Sequence, residues 1–156
     1  MIKKLLYVFG ISIVPVIELR GAIIAGKLLE IPWYWNLIVC WIGNMLPVPF
    51  ILIFIRKIIE WMKGTKRLHF VAEFLEKKAV KKSDKVSRYA TFGLFLFVAV
   101  PLPGTGAWTG ALVASVLEMR IKHSLISIAL GVLAAGIIMT IACYGGSAAL
   151  AWLTKI

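Results

Sequence analysis

The sequence predicts an all-α integral membrane protein, and three observations carry that prediction. The 156 residues are 61% hydrophobic with a mean hydropathy of +0.93, too apolar for a soluble globule of this size. Stretches without a charged side chain cover residues 31–55, 89–117 and 124–154. Each reaches or exceeds the roughly 20 residues that cross a bilayer as helix. Charge is concentrated elsewhere: 11 of the 18 Lys and Arg lie in residues 56–88, which with Glu60, Glu73, Glu76 and Asp84 keep a balance of +7. The formal net charge of +11 therefore reads as membrane topology, with a basic loop on the cytoplasmic side. A secreted fold, a disulfide scaffold and an ordinary nucleic-acid-binding domain are excluded.

The first apolar block, residues 5–26, follows Lys3-Lys4 and could open a signal peptide. It instead runs through Pro15, Glu18 and Arg20 to Gly26 with no cleavable ending, and so counts as structure. Its first ten residues, 5–14, make about 15 Å of helix, which reaches only the middle of a core roughly 30 Å thick. The second block, residues 31–55, opens on Trp33-Tyr34-Trp35, has Trp61 beyond its far end, and is interrupted by Asn44, Pro47 and Pro49. Those aromatics suit the membrane–water interface, as does Trp152. In the basic segment Leu68, Val71, Ala72, Leu75 and Ala79 recur at helical spacing, which predicts an amphipathic helix along the cytoplasmic surface. The third block, residues 89–117, is broken at Pro101-Leu102-Pro103-Gly104-Thr105-Gly106, and the fourth, residues 124–154, is not. Cys40 and Cys143 are packing residues, and His69 and His123 lack a second ligand at metal spacing.

The breaks in blocks one and three correspond. Val14-Pro15 leads to Gly21-Ala22 and ends Leu28-Leu29-Glu30-Ile31; Val100-Pro101 leads to Gly106-Ala107 and ends Val116-Leu117-Glu118-Met119. Matching interruptions in two halves of a small membrane protein point to a substrate site between inverted repeats. Two architectures satisfy the lengths: re-entrant hairpins over residues 5–26 and 89–117, or four full spans, two of them kinked. Both put residues 56–88 in the cytoplasm.

Glu18 and Arg20 are the charges in mid-block, and each is costly there unless paired or hydrated. The second break supplies what an anion needs: Gly104-Thr105-Gly106 turns the backbone with N–H groups exposed, and from Ala107 a half-helix begins with its positive dipole end at the same place. Arg20 opposite completes a phosphate or carboxylate cradle, with hydroxyls from Thr105 and Thr109. Glu18 is then the proton acceptor for a proton-coupled step. Trp108 either packs against the other half or offers its ring to a cation, and Asn44 hydrogen-bonds toward the first break from behind. No nucleophile set, Walker loop, paired-carboxylate site or metal cluster is legible, so the chain is not read as an enzyme and no cofactor is expected.

The strings Glu18-Leu19-Arg20-Gly21-Ala22, Gly43-Asn44 with Pro47 and Pro49, and above all residues 101–112, Pro-Leu-Pro-Gly-Thr-Gly-Ala-Trp-Thr-Gly-Ala-Leu, resemble the small multidrug export protein family over nearly the whole chain. One departure is Ile24, where that family's pattern has Pro after Gly-Ala-Ile. The family in turn is similar to the DedA superfamily, and the resemblance implies two opposed re-entrant hairpins and, in several branches, translocation of lipids or lipid phosphates.

The expected architecture is one membrane domain over residues 1–156. A first repeat (1–55) and a second (89–156), each a re-entrant hairpin followed by a transmembrane helix, are joined by the basic loop (56–88). The expected activity is a proton-coupled transporter or flippase, in the cell inner or plasma membrane, for an anionic or lipid-linked phosphate substrate bound between the two re-entrant tips, the lipid-linked phosphate being preferred. Its rivals are an exporter of small cationic compounds and a membrane scaffold without transport. A monomer of this size offers little protein to shield two broken hairpins, so a homodimer is expected.

Overall fold

The computed structural model describes residues 1–63, 84–102 and 104–146, all of them helix or short connection, with no strand among them. The amphipathic helix expected over residues 68–79, together with His69, Pro103 and Trp152, lies outside the described residues. Helices α1 (Ile2–Ile13) and α2 (Glu18–Leu28) come first, then α3 (Trp33–Met45) and α4 (Pro47–Lys63). After the undescribed segment come α5 (Asp84–Ala99), α6 (Ala107–Val116) and α7 (Ile121–Thr140), closed by a π-helical turn, Ile141–Gly145.

Proline explains most of the boundaries. Val14 precedes Pro15 and is driven to φ −66°, ψ 126°, which ends α1. Pro32 and Arg120, each extended at ψ 135° and 127°, start α3 and α7. Pro47 takes the first position of α4, where its missing N–H costs least, so α3 and α4 continue as one apolar rod, Trp33–Trp61. That rod and Ile121–Gly145 are the two described helices long and apolar enough to cross a bilayer. Helix α4 also runs past Ile55 into the segment read from sequence as loop, and α5 begins inside it. Isoleucines 55, 58 and 59 carry the α4 pattern past Arg56 and Lys57.

Two turns share a geometry. Glu30 and Glu118 both adopt positive φ, 58° and 50°. The same bonds follow at the same offset: Ile31 N–H to Gly26 O and Met119 N–H to Ala114 O, both 2.9–3.0 Å. Packing repeats as well. At Gly43 of α3 a Cβ would overlap Ser12 and lie 2.9 Å from Phe9 O of α1; at Gly131 of α7 one would lie 2.8 Å from Val98 Cβ and 2.9 Å from Phe95 O of α5. Close backbone approach through small residues is how helices associate in lipid. On α6 the fully buried face is Ala107, Ala111 and Ala114, and α6 packs mainly on α4, whose Val48 and Leu52 are also buried. The outer surface is apolar, with Leu6, Phe50, Phe54, Tyr89 and Phe92 exposed, as a lipid-facing surface requires.

Candidate functional site

The two breaks meet. Glu18 opens α2 in the left-handed region, φ 49°, and is buried with only 5% of its surface exposed. Its carboxylate lies at the N-terminus of α6, where Trp108 N–H donates to Oε1 at 3.2 Å. Gly106, extended at φ −85°, ψ −167°, precedes that helix. A Cβ at Gly106 would overlap the Glu18 carboxylate, so only glycine admits the acid there. A negative charge at a helix N-terminus meets free N–H donors and the positive dipole end together.

Arg20, two residues further along, is turned onto the chain's own oxygens. Its Nη1 donates to Leu102 O, and its Nη2 donates to Val100 O and to Thr105 Oγ1, both at 3.0 Å. These carbonyls are available because the helix stops at Ala99. The Thr105 hydroxyl is shared between Val100 O at 2.7 Å and Leu102 O at 2.9 Å. Gly104, at φ 85°, is exposed and supplies the turn. In the other direction Trp108 Nε1 donates to Ile13 O, the end of α1, at 3.2 Å. Each break is thus tied by side chains of the other half.

Of the residues singled out from sequence, Glu18, Arg20, Thr105, Gly106, Ala107 and Trp108 are brought together. Thr109 makes none of these bonds. The Glu18 carboxylate occupies the place where the sequence expects a bound anion, and Arg20 is engaged with the chain's own oxygens. Asn44 is 2% exposed and does not hydrogen-bond the first break: its Oδ1 has no partner. It lines, with Glu18, Arg20, Gly106 and Ala107, a cavity of about 10 Å³, room for about one water.

A family model described as "Putative small multi-drug export protein" matches residues 18–138. The chain belongs to this family. No curated protein and no solved structure is significantly similar to it. The match to the small multi-drug export model begins at Glu18 itself and contains Arg20, Asn44 and the whole second break. Membership in an export family and the two long apolar helices together make the chain a membrane protein.

Sequence reasoning missed a second cluster. Lys27 Nζ donates to Cys143 O in the π-helical turn and lies 5.6 Å from the Tyr144 ring centroid. Tyr144 OH donates to Ile31 O at 3.0 Å and accepts from Asn36 Nδ2 at 2.9 Å, and Asn36 also donates to Ile23 O. The signal available was Asn36 itself, a second amide in an apolar block.

Proposed function

We propose that the chain is a membrane transporter in which an anionic group of the substrate, preferentially a lipid-linked phosphate, exchanges with the Glu18 carboxylate at the start of α6. The hydrogen bond from Trp108 N–H to Glu18 Oε1 carries this reading. A resident carboxylate marks a site that favours anions, and its release frees those donors for another oxyanion. Protonation removes the charge that holds Glu18 there, so proton uptake and anion binding are coupled at one position. Arg20 and Thr105 keep Val100 and Leu102 in place, Gly104 and Gly106 let the turn form, and Ala107, Trp108 and Thr109 flank the exchanging group. The one-water cavity beside Asn44 supports a proton route to Glu18.

The architecture in this reading is a pair of inverted repeats, each a re-entrant hairpin followed by a spanning helix. Helices α1, α2 and α6, with 12, 11 and 10 residues, support it. At about 15–18 Å each they reach half the hydrocarbon core. The matched turns at Glu30 and Glu118 support the repeat. Kinship with the DedA superfamily, a homodimer, a cytoplasmic basic segment in the inner or plasma membrane, and the absence of an enzymatic step belong to the same proposal.

The test is flux of a lipid-linked phosphate in proteoliposomes under an imposed proton gradient. Glu18→Gln is expected to bind substrate but lose the response to the gradient, and Arg20→Ala to abolish flux. Gradient-insensitive flux in the native protein overturns the coupling. The family's description favours one alternative, export of small cationic compounds with Glu18 as the binding charge and Trp108 as a ring contact. In that case Arg20→Ala spares or enhances export and Glu18→Gln abolishes it.

A further inference from the structure

Where the two breaks meet, a buried oxygen is left without a donor. Asn44 of α3 lines the same one-water cavity as Glu18, and its Oδ1 receives no hydrogen bond from the described residues. A buried acceptor left unmet is costly, so its position calls for a donor. The neighbouring oxygens need none. Val100 O accepts from Arg20 Nη2, Thr105 Oγ1 and Leu102 N–H, and Leu102 O accepts from Arg20 Nη1, Thr105 Oγ1 and Thr105 N–H. Ile13 O accepts from Trp108 Nε1.

As a carboxylate, Glu18 only accepts hydrogen bonds and has nothing to give Asn44. Trp108 N–H and the dipole of α6 hold it at the helix start instead. Proton uptake from the medium reverses both relationships. The neutral acid carries an O–H donor, and without its charge the bond from Trp108 N–H falls to roughly half its strength. Glu18 also lies in the left-handed region, φ 49°, a conformation that persists in a non-glycine residue only while its surroundings hold it. The cavity takes about one water, and a carboxyl oxygen is of similar size.

We propose that Asn44 is a positioning residue that receives the protonated Glu18: the acid turns into the cavity and donates its O–H to Asn44 Oδ1. The inference rests on the transport reading, in which Glu18 yields its place to an anion. While Asn44 holds the acid, the N–H donors at the start of α6 stay open, and the Arg20 charge that Glu18 otherwise offsets is left to attract the anion. Glu18 and Arg20 are the titratable residues lining the cavity; α5 and α7 contribute Val98, Val132 and Ala135. The charges of α1, Lys3 and Lys4, lie at its far end from the break.

The experiment is infrared difference spectroscopy of the full chain in detergent during an acid titration, with no substrate present. The band of the neutral Glu18 acid is identified by its loss in Glu18→Gln. In the native protein it is expected at the frequency of a hydrogen-bonded acid. Asn44→Leu is expected to move it to the frequency of a free acid. The same variant is expected to need about tenfold more protons, one pH unit further to acid, because it loses a bond made only by the neutral form. Asn44→Ser keeps an acceptor oxygen and is expected to restore the native frequency. A purely structural Asn44 moves neither band nor midpoint. A native band at the free-acid frequency, an unmoved band in Asn44→Leu, or no Glu18 band on acidification overturns the inference; the first and last are read in chains that keep Asn44. A midpoint displaced toward neutral pH in Asn44→Leu also overturns it, since the amide then donates to the carboxylate through Nδ2. Proton-driven flux with a free-acid band defeats this inference alone, whereas a bonded band without flux of a lipid-linked phosphate defeats the transport reading alone.

Discussion

Glu18 and Gly106 are in such close contact that a single added methyl group at position 106 would overlap the carboxylate. The acid and the glycine define each other: one needs the donors at the start of α6, and the other makes room for it.

Gly106→Ala is therefore expected to lower thermal stability by about 1–3 kcal/mol, the usual cost of overpacking a tight site. Glu18→Ala in the same chain relieves the overlap, so the two changes are strongly non-additive in a double-mutant cycle read by thermal melting in detergent. Additive losses would show that the two residues do not touch.

Arg20→Lys keeps the charge and loses the fork that reaches Val100 O, Leu102 O and Thr105 Oγ1 together. The expected cost is about 1–3 kcal/mol, and protease cleavage within residues 100–106 should rise in parallel. A lysine variant with native melting and native protection would remove the bracing role.

Asn44→Leu separates stability from function. Its Oδ1 is a buried acceptor without a partner, so an apolar replacement of similar size is expected to be neutral or stabilising by up to about 1 kcal/mol. The same change dries the cavity beside Glu18 and should slow proton-driven flux. A variant that is more stable and equally active would detach Asn44 from the proton route.

Tyr144→Phe removes the donor to Ile31 O and the acceptor for Asn36 Nδ2 in one step. A loss of about 1–2 kcal/mol follows from two orphaned groups, visible as a lower melting temperature. Lys27→Met should weaken the same end of the molecule through Cys143 O.

Orientation is checked with single cysteines in place of Lys3, Leu28, Lys57 and Lys122, all exposed, in a chain lacking Cys40 and Cys143. An impermeant thiol reagent is expected to label positions 3 and 28 from one side and 57 and 122 from the other. Labelling of 3 and 28 from opposite sides would replace the first hairpin with a full span.

The breaks were legible in the sequence because proline and glycine carry their backbone consequences in their identity: Val14 and Val100 each precede a proline, and each ends its helix there. Glu18 and Arg20 were legible because charge in an apolar block demands an explanation. Their partners were not. Arg20 binds carbonyls of Val100 and Leu102, and a backbone oxygen has no letter in the sequence. The positive φ at Glu30 and Glu118 was equally hidden, since neither residue is the glycine or asparagine that usually announces it. Lys27 reads as a flanking charge; its acceptor lies in a π-helical turn 116 residues away that no local pattern encodes.

The bracing of each break by the other half also sets an order of assembly. Arg20 leaves the ribosome 82 residues before the Leu102 carbonyl that receives it. At about 5–20 residues per second that is an interval of several seconds. During that time the first break holds a carboxylate and a guanidinium with none of their final partners yet synthesised. The nascent first half must therefore keep both groups hydrated or inside the insertion machinery until the second break arrives.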